Sequence, residues 1–89
     1  MELEWSTIKN AELNERYGFG FERMIVAIAE GGLLDVRDHP NKLKYPHQRQ
    51  YVLNINGYAW VVPFVFEEDR ILLKTFFPSR MATKEYLGG

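Results

Sequence analysis

Ten residues, KLKYPHQRQY at positions 42–51, hold two lysines, an arginine, a histidine and two tyrosines, with no acid among them. Such side chains can move protons and hold phosphate. Histidine titrates near neutrality, a lysine beside other cations becomes a base as its pKa falls, and the arginine fork fits two phosphate oxygens. Lys44, His47 and Arg49 are the candidates in this stretch. Farther along, Lys74 stands among apolar neighbours in ILLKTFF, and Arg80 follows that run in PSRMATKEYL. The five suit chemistry at a phosphate ester. Such chemistry needs a base to take a proton, cations for the charge building on the phosphate, and an acid for the leaving oxygen. Tyr45, Tyr51 and Tyr86 offer rings on which bases can stack, and Tyr86 can also donate a proton.

Each candidate has a plainer reading. His47 also suits a solvated loop, Lys44 an ordinary surface position, and Lys74 a side chain snorkelling off a sheet edge. Arg80 also suits an ion pair with Glu85, and the tyrosines suit simple packing. The whole basic stretch suits an acidic segment of a partner protein as well as RNA. His39, directly before Pro40, reads as a turn residue, and Trp60, Phe64 and Phe66 share one strand face and read as core. Two histidines without a clustered carboxylate pattern give no metal-ligand motif. The absence of cysteine removes thiolate sites and a disulfide framework. There is no phosphate loop and no nucleophile elbow. No metal and no cofactor is expected.

Charge is distributed unevenly behind a net value of -1. Residues 1–34 hold six glutamates against Lys9, Arg16 and Arg23, whereas residues 35–89 hold eight lysines and arginines against six acids. No acid occurs between His39 and Phe66, so the basic zone is local and the chain as a whole is not steered strongly toward nucleic acid. At 89 residues and 46% hydrophobic content, a single domain over residues 1–89 with a true core is expected. No apolar run approaches a membrane span, and MELEWSTIKN lacks the form of a signal peptide. A soluble cytoplasmic domain without a membrane partner is the expectation.

The elements that must position these residues follow from periodicity and turn chemistry. ELEW reads as a strand, with Ser6 or Thr7 capping a helix through TIKNAELNERY whose apolar face is Ile8, Ala11, Leu13 and Tyr17. Gly18 suits its left-handed end. A second helix over residues 21–30 shows Phe21, Met24, Ile25, Ile28 and Ala29 at helical spacing, and Gly31-Gly32 stop it. LLDV is a strand, DHPNKLKYPHQ a loop, and RQYVLNI and YAWVVPFVF a hairpin closed by Asn56-Gly57, both tolerant of positive φ. Pro63 demands a bulge or an unpaired position. RILLKTFF is the last strand, with Lys74 alternating onto the face of Arg70, Leu72 and Phe76. Ser79 caps a short final helix. The order predicts an α+β fold: a small antiparallel sheet, two N-terminal helices packed on one face, and a short C-terminal helix. Lys74 and the other cations are expected to converge on the opposite, open face.

Two stretches carry a family likeness. ELEWSTIKNAELNERYGFGFE, with Trp5, Lys9-Asn10, Asn14, Gly18, Phe21 and Glu22, resembles the opening of the BrnT-like toxins, a branch of the RelE/ParE superfamily. RILLKTFFPSRMATKEY resembles that family's last strand and its Ser-Ala-Arg-x-Ala-Thr stretch, through Ser79, Arg80, Ala82, Thr83 and Glu85. The chain departs from the family at Tyr17, where a histidine is usual, and in the loop HPNKLKYPHQR. The resemblance implies a RelE-like sheet backed by two helices and a type II toxin that cuts mRNA without a metal, by attack of the ribose 2′-OH, with the candidate cations, histidine and tyrosine as base, phosphate ligands and acid. It implies an antitoxin partner from the same operon, which binds DNA, and the ribosome as a further candidate partner. The competing expectation is a non-catalytic module of the same fold that binds a protein target or antitoxin without cleaving RNA.

Overall fold

A computed structural model describes residues 2–88. The order is β1 (Glu2–Glu4), α1 (Thr7–Tyr17), α2 (Phe21–Ala29), β2 (Leu33–Asp38), β3 (Arg49–Ile55), β4 (Tyr58–Glu67), β5 (Arg70–Leu73), β6 (Phe77–Pro78) and α3 (Arg80–Leu87). The fold is α+β. Its six-stranded sheet runs β1-β5-β4-β3-β2, with β6 paired to β4 beyond the end of β5. The sheet is mixed and not purely antiparallel as expected, because β1 lies parallel to β5, with Glu2 opposite Arg70 and Glu4 opposite Leu72. Arg70 helps hold this junction: its Nη1 donates to Glu4 at 3.1 Å and its Nη2 to Glu67 at 3.5 Å.

Strand alternation divides the apolar residues between two cores. Leu53, Ile55, Val62, Phe64, Ile71 and Leu73 face α1 and α2, where they meet Leu13, Phe21, Met24 and Ala27. The opposite face is not wholly open. Val52, Ala59 and Val61 meet Ala82 there, with Leu34, Phe77, Tyr86 and Leu87 at the margin. The helix α3 therefore covers part of the face that the sequence reading left bare. No helix among the described residues is long and apolar enough to cross a membrane.

Pro63 explains why the last strand is broken. It stays in β4, opposite Gln50. Its carbonyl accepts from Lys74 N–H at 2.8 Å, on the side where β5 runs. Proline has no N–H to return, and the neighbouring strand leaves the ladder: β5 ends at Leu73 and pairing resumes only at Phe77. The irregularity expected in β4 thus falls on its partner. Alternation slips as a result. Phe76 is buried with Leu73 and not aligned with Leu72, so the parity that assigned a face to Lys74 does not extend to it.

The junction of α1 and α2 departs from simple amphipathicity. Ile8 is 73% exposed, and Leu13 is the buried residue of α1. Polar Asn10 does the joining: its Oδ1 accepts from Phe21 N–H at 2.7 Å, and its Nδ2 donates to the Glu22 carboxylate at 3.1 Å. The N-cap residue of α2, Gly20, has no side chain with which to cap it, so Asn10 satisfies an orphan N–H from the neighbouring helix. A Cβ on Gly20 would collide with Asn10 Oδ1 and stand 2.7 Å from Asn14 Nδ2. Asn10 and Glu22 thus form a structural joint, closed over by Gly20.

α3 is stitched to β4 by hydrogen bonds. Ser79 Oγ caps the helix, accepting from Ala82 N–H at 3.0 Å. Ser79 N–H donates to the Ala59 carbonyl at 2.9 Å. Thr83 Oγ1 accepts from Ala59 N–H at 2.9 Å and donates to Ser79 O at 2.7 Å. Replacing Thr83 with valine keeps the shape and strands a buried N–H. Thr83→Val should therefore lower unfolding free energy by about 1–3 kcal/mol, read from the urea midpoint. An unchanged midpoint would show that this stitch contributes nothing.

Candidate functional site

Where β2 meets α3, five side chains form one network. Asp35 and Arg37 alternate along β2 onto the α3 face, with Arg37 directly opposite Gln50 of β3. Arg37 Nε donates to Gln50 Oε1 at 2.9 Å, and Gln50 is only 3% exposed. Arg37 Nη1 donates to Glu85 Oε1 at 3.2 Å. Tyr86 Oη donates to Asp35 Oδ2 at 2.6 Å, and the Arg37 guanidinium lies 5.7 Å from the centre of the Tyr86 ring. The second Asp35 oxygen accepts from Val36 N–H at 2.8 Å. The Tyr86 phenol is pushed above its ordinary pKa, first because it donates to the Asp35 carboxylate and then by burial. Like any phenol it keeps its proton at neutral pH, and the contact with Asp35 binds that proton more firmly.

The predicted cations do not share one concavity, which corrects the expectation of convergence. Arg49 stands opposite Phe64, on the α1/α2 face. Its Nε donates to Asp38 at 3.3 Å, while Lys42 Nζ holds the other Asp38 oxygen at 3.0 Å. These contacts, Lys42 first, pull the Asp38 carboxyl below its ordinary pKa. Arg80 lies at the start of α3, which covers the other face. Lys44 is exposed in the β2–β3 loop, its Nζ 5.4 Å from the Tyr45 ring centre. His47 is exposed in the same loop, and Lys74 is exposed just past β5. The loop does lie at the Arg37–Gln50 end of the sheet, since it joins those two strands there.

The tyrosines separate similarly. Tyr45 is half-buried against His39, ring centres 4.4 Å apart, which gives His39 the local role expected of it. Tyr51 stacks on Phe64 at 4.2 Å on the α1/α2 face, and burial pushes its phenol pKa up. Only Tyr86 faces the network. Of the aromatic residues expected in the core, Phe64 is buried and Trp60 is partly buried against Tyr17, Phe19 and Phe76, while Phe66 is 56% exposed.

Arg80 stands apart within its own motif. Ser79 caps α3, Ala82 is buried at 1% exposure, and Thr83 bonds Ala59, so these three have structural work. Arg80 has no ion pair or side-chain hydrogen bond among the described residues, and Glu85 is paired with Arg37 instead. Arg80, Met81 and Lys84 line a shallow cleft of about 340 Å³ on the outer side of α3.

Sequence reasoning missed Asp35, Arg37, Gln50 and Glu85. A signal was present in LLDVRD, where an acid and an arginine at alternate positions of an apolar strand must share a face. Among the described residues, no three histidine, aspartate or glutamate side chains cluster as metal ligands. Comparison of the chain with protein-family models, with curated proteins and with solved structures finds no match.

The raised Tyr86 pKa fixes a sign. A phenol whose folded pKa exceeds its unfolded value, about 10, contributes stability that is fully present below that pH and is lost as pH rises through the folded value. The melting temperature should therefore fall above pH ~10. Tyr86→Phe should flatten that fall while leaving the part due to half-buried Tyr51. Parallel profiles for the two proteins would show that Tyr86 is not coupled to Asp35 in solution.

Proposed function

We propose that this chain is the toxin of a type II toxin–antitoxin pair, of RelE/ParE type and BrnT-like, and that it acts in the cytoplasm as an endoribonuclease on mRNA. The observation that carries the reading is the Tyr86–Asp35–Arg37–Glu85 network. A protonated phenol, positioned by a carboxylate beside an arginine, brings an acid and a phosphate-binding cation to one place. In this account Tyr86 protonates the leaving 5′-oxygen and Arg37 stabilises the charge on the attacked phosphate. Glu85, or His47 or Lys44 from the adjacent loop, accepts the 2′-OH proton. Arg80 and Lys84, one turn apart on α3, hold neighbouring phosphates. The products are a 2′,3′-cyclic phosphate and a 5′-OH. Support also comes from the five residues of the final motif: Ser79, Ala82 and Thr83 have structural roles, Glu85 pairs with Arg37, and Arg80 is left exposed without a partner among the described residues. Arg49, Tyr51 and Lys74 belong to this reading only as distant contributors.

A second reading, a non-catalytic module that captures a protein target or its antitoxin, draws on a specific observation. Arg37 and Arg49 are already committed to Glu85 and Asp38. RNA would have to displace the first of these pairs. A binding module needs no such exchange.

Purified protein incubated with RNA in EDTA separates the two. The nuclease reading expects cleavage with cyclic-phosphate ends, and Tyr86→Phe slower by about 10²–10⁴-fold, the usual range for a lost acid. Arg80→Ala should lose about 2–4 kcal/mol of transition-state stabilisation, with its melting temperature unchanged. Growth arrest without cleavage of free or ribosome-bound RNA would leave the binding module standing. Normal cleavage by Tyr86→Phe would remove the acid from the proposed mechanism.

A further inference from the structure

The tip of the β3–β4 hairpin sets two reactive groups side by side, independently of the proposed function. The chain has five asparagines, and only Asn56 is followed by glycine. The side-chain carbonyl carbon of an asparagine is an electrophile, and the next backbone nitrogen can close a ring on it. A glycine in that next position has no Cβ to obstruct the closure. Asn56 and Gly57 are both exposed.

The same turn shows what opposes the reaction. Ile55 pairs with Tyr58 across the strand ends, so Asn56 and Gly57 make up a two-residue loop, with left-handed φ of 53° and 84°. Gly57 N–H lies beyond the ladder, and it donates to Asn54 Oδ1 at 2.8 Å. The acceptor is firmly mounted: Asn54 is half-buried, and its own N–H donates to Gly32 O at 2.7 Å. To attack, the Gly57 nitrogen must give up its proton and its peptide plane must turn. The bond to Asn54 keeps the proton on the nitrogen and fixes the plane.

We infer that Asn56 is a site of spontaneous deamidation and that Asn54 governs its rate. The Gly57 nitrogen bonds to Asn56 Cγ, and the bond from Cγ to the side-chain nitrogen breaks. That nitrogen leaves as ammonia, taking up the proton that Gly57 loses. Water then opens the cyclic imide at either carbonyl. One product is aspartate, which suits the same turn. The other is isoaspartate, which adds a methylene to the main chain of a loop whose length sets the strand register. Damage there reaches two helices. Asn54 anchors Gly32 at the end of α2, and its cross-strand partner Ala59 holds Ser79 and Thr83 at the start of α3.

The test follows the full chain through incubation in mildly alkaline buffer. Peptide mass spectrometry reads aspartate and isoaspartate at position 56, and ¹⁵N spectra read hydrogen exchange at the Gly57 amide. The parent should deamidate more slowly folded than in urea. Asn54→Ala should speed both deamidation and Gly57 exchange about two- to tenfold, the span that one ordinary hydrogen bond allows. Asn54→Asp retains an acceptor and should keep the parent rates. Ile71→Val weakens the core beside the far end of β4. It should change neither rate, because the hairpin tip opens locally. The inference is overturned if Asn54→Ala deamidates at the parent rate, or if Ile71→Val speeds deamidation as much as Asn54→Ala does. Should Asn54→Ala fail to fold, the parent decides the matter. A Gly57 amide that exchanges without protection, or deamidation as fast in the folded parent as in urea, overturns it.

Discussion

The hydrogen bond from Tyr86 to Asp35 holds together what the two ends of the chain contribute. Asp35 belongs to β2, at the edge of the sheet, and Tyr86 to the last turn of α3. At 2.6 Å, with a carboxylate as acceptor, it is a short charge-assisted bond. It fixes the far end of a helix whose near end is already stitched to β4 through Ser79 and Thr83. Between these two anchors, α3 can cover Val52, Ala59 and Val61. The same bond places the phenol beneath Arg37 and brings Glu85 to the guanidinium. Structure and proposed chemistry therefore rest on one contact.

Arg37 shows how the site is kept from being merely a packing device. Its side chain is 24% exposed, against 56% for Glu85. The pair is thus anchored on one side by buried Gln50 and open to solvent on the other. An exposed pair of this kind contributes little to stability, about 0–1 kcal/mol, so exchanging Glu85 for a phosphate is not prohibitive. Asp38 serves a different end. Bracketed by Lys42 and Arg49, it ties the loop to the sheet on the other face, and those two cations are used locally.

Much of the fold was legible wherever a local signal carried it. Asn56-Gly57 located the hairpin, RQYVLNI matched β3, and Ser79 capped the last helix as its type suggested. The pairing of β1 with β5 was not legible, because a parallel contact between the two ends of a chain leaves no turn chemistry behind. Pro63 gave notice of an irregularity, but the missing N–H acted on the neighbouring strand, and the parity of Lys74 went with it. The joining role of Asn10 was not legible either, since its partner is an N–H in the next helix. For the site, Tyr86 and Arg80 were visible as residue types. Their surroundings were not: the partner of Tyr86 lies 51 positions away, and Glu85 had its choice between two arginines.

The account's central claim is that docking α3 through Asp35 and Tyr86 assembles a site for RNA cleavage. A double-mutant cycle on the cleavage rate, using Asp35→Asn, Tyr86→Phe and the double variant, tests it most directly. If the two residues act as one unit, the double variant is no slower than the slower single variant, a coupling of about 0.5–3 kcal/mol. If their effects simply add, or if the parent protein does not cleave RNA at all, the claim is contradicted.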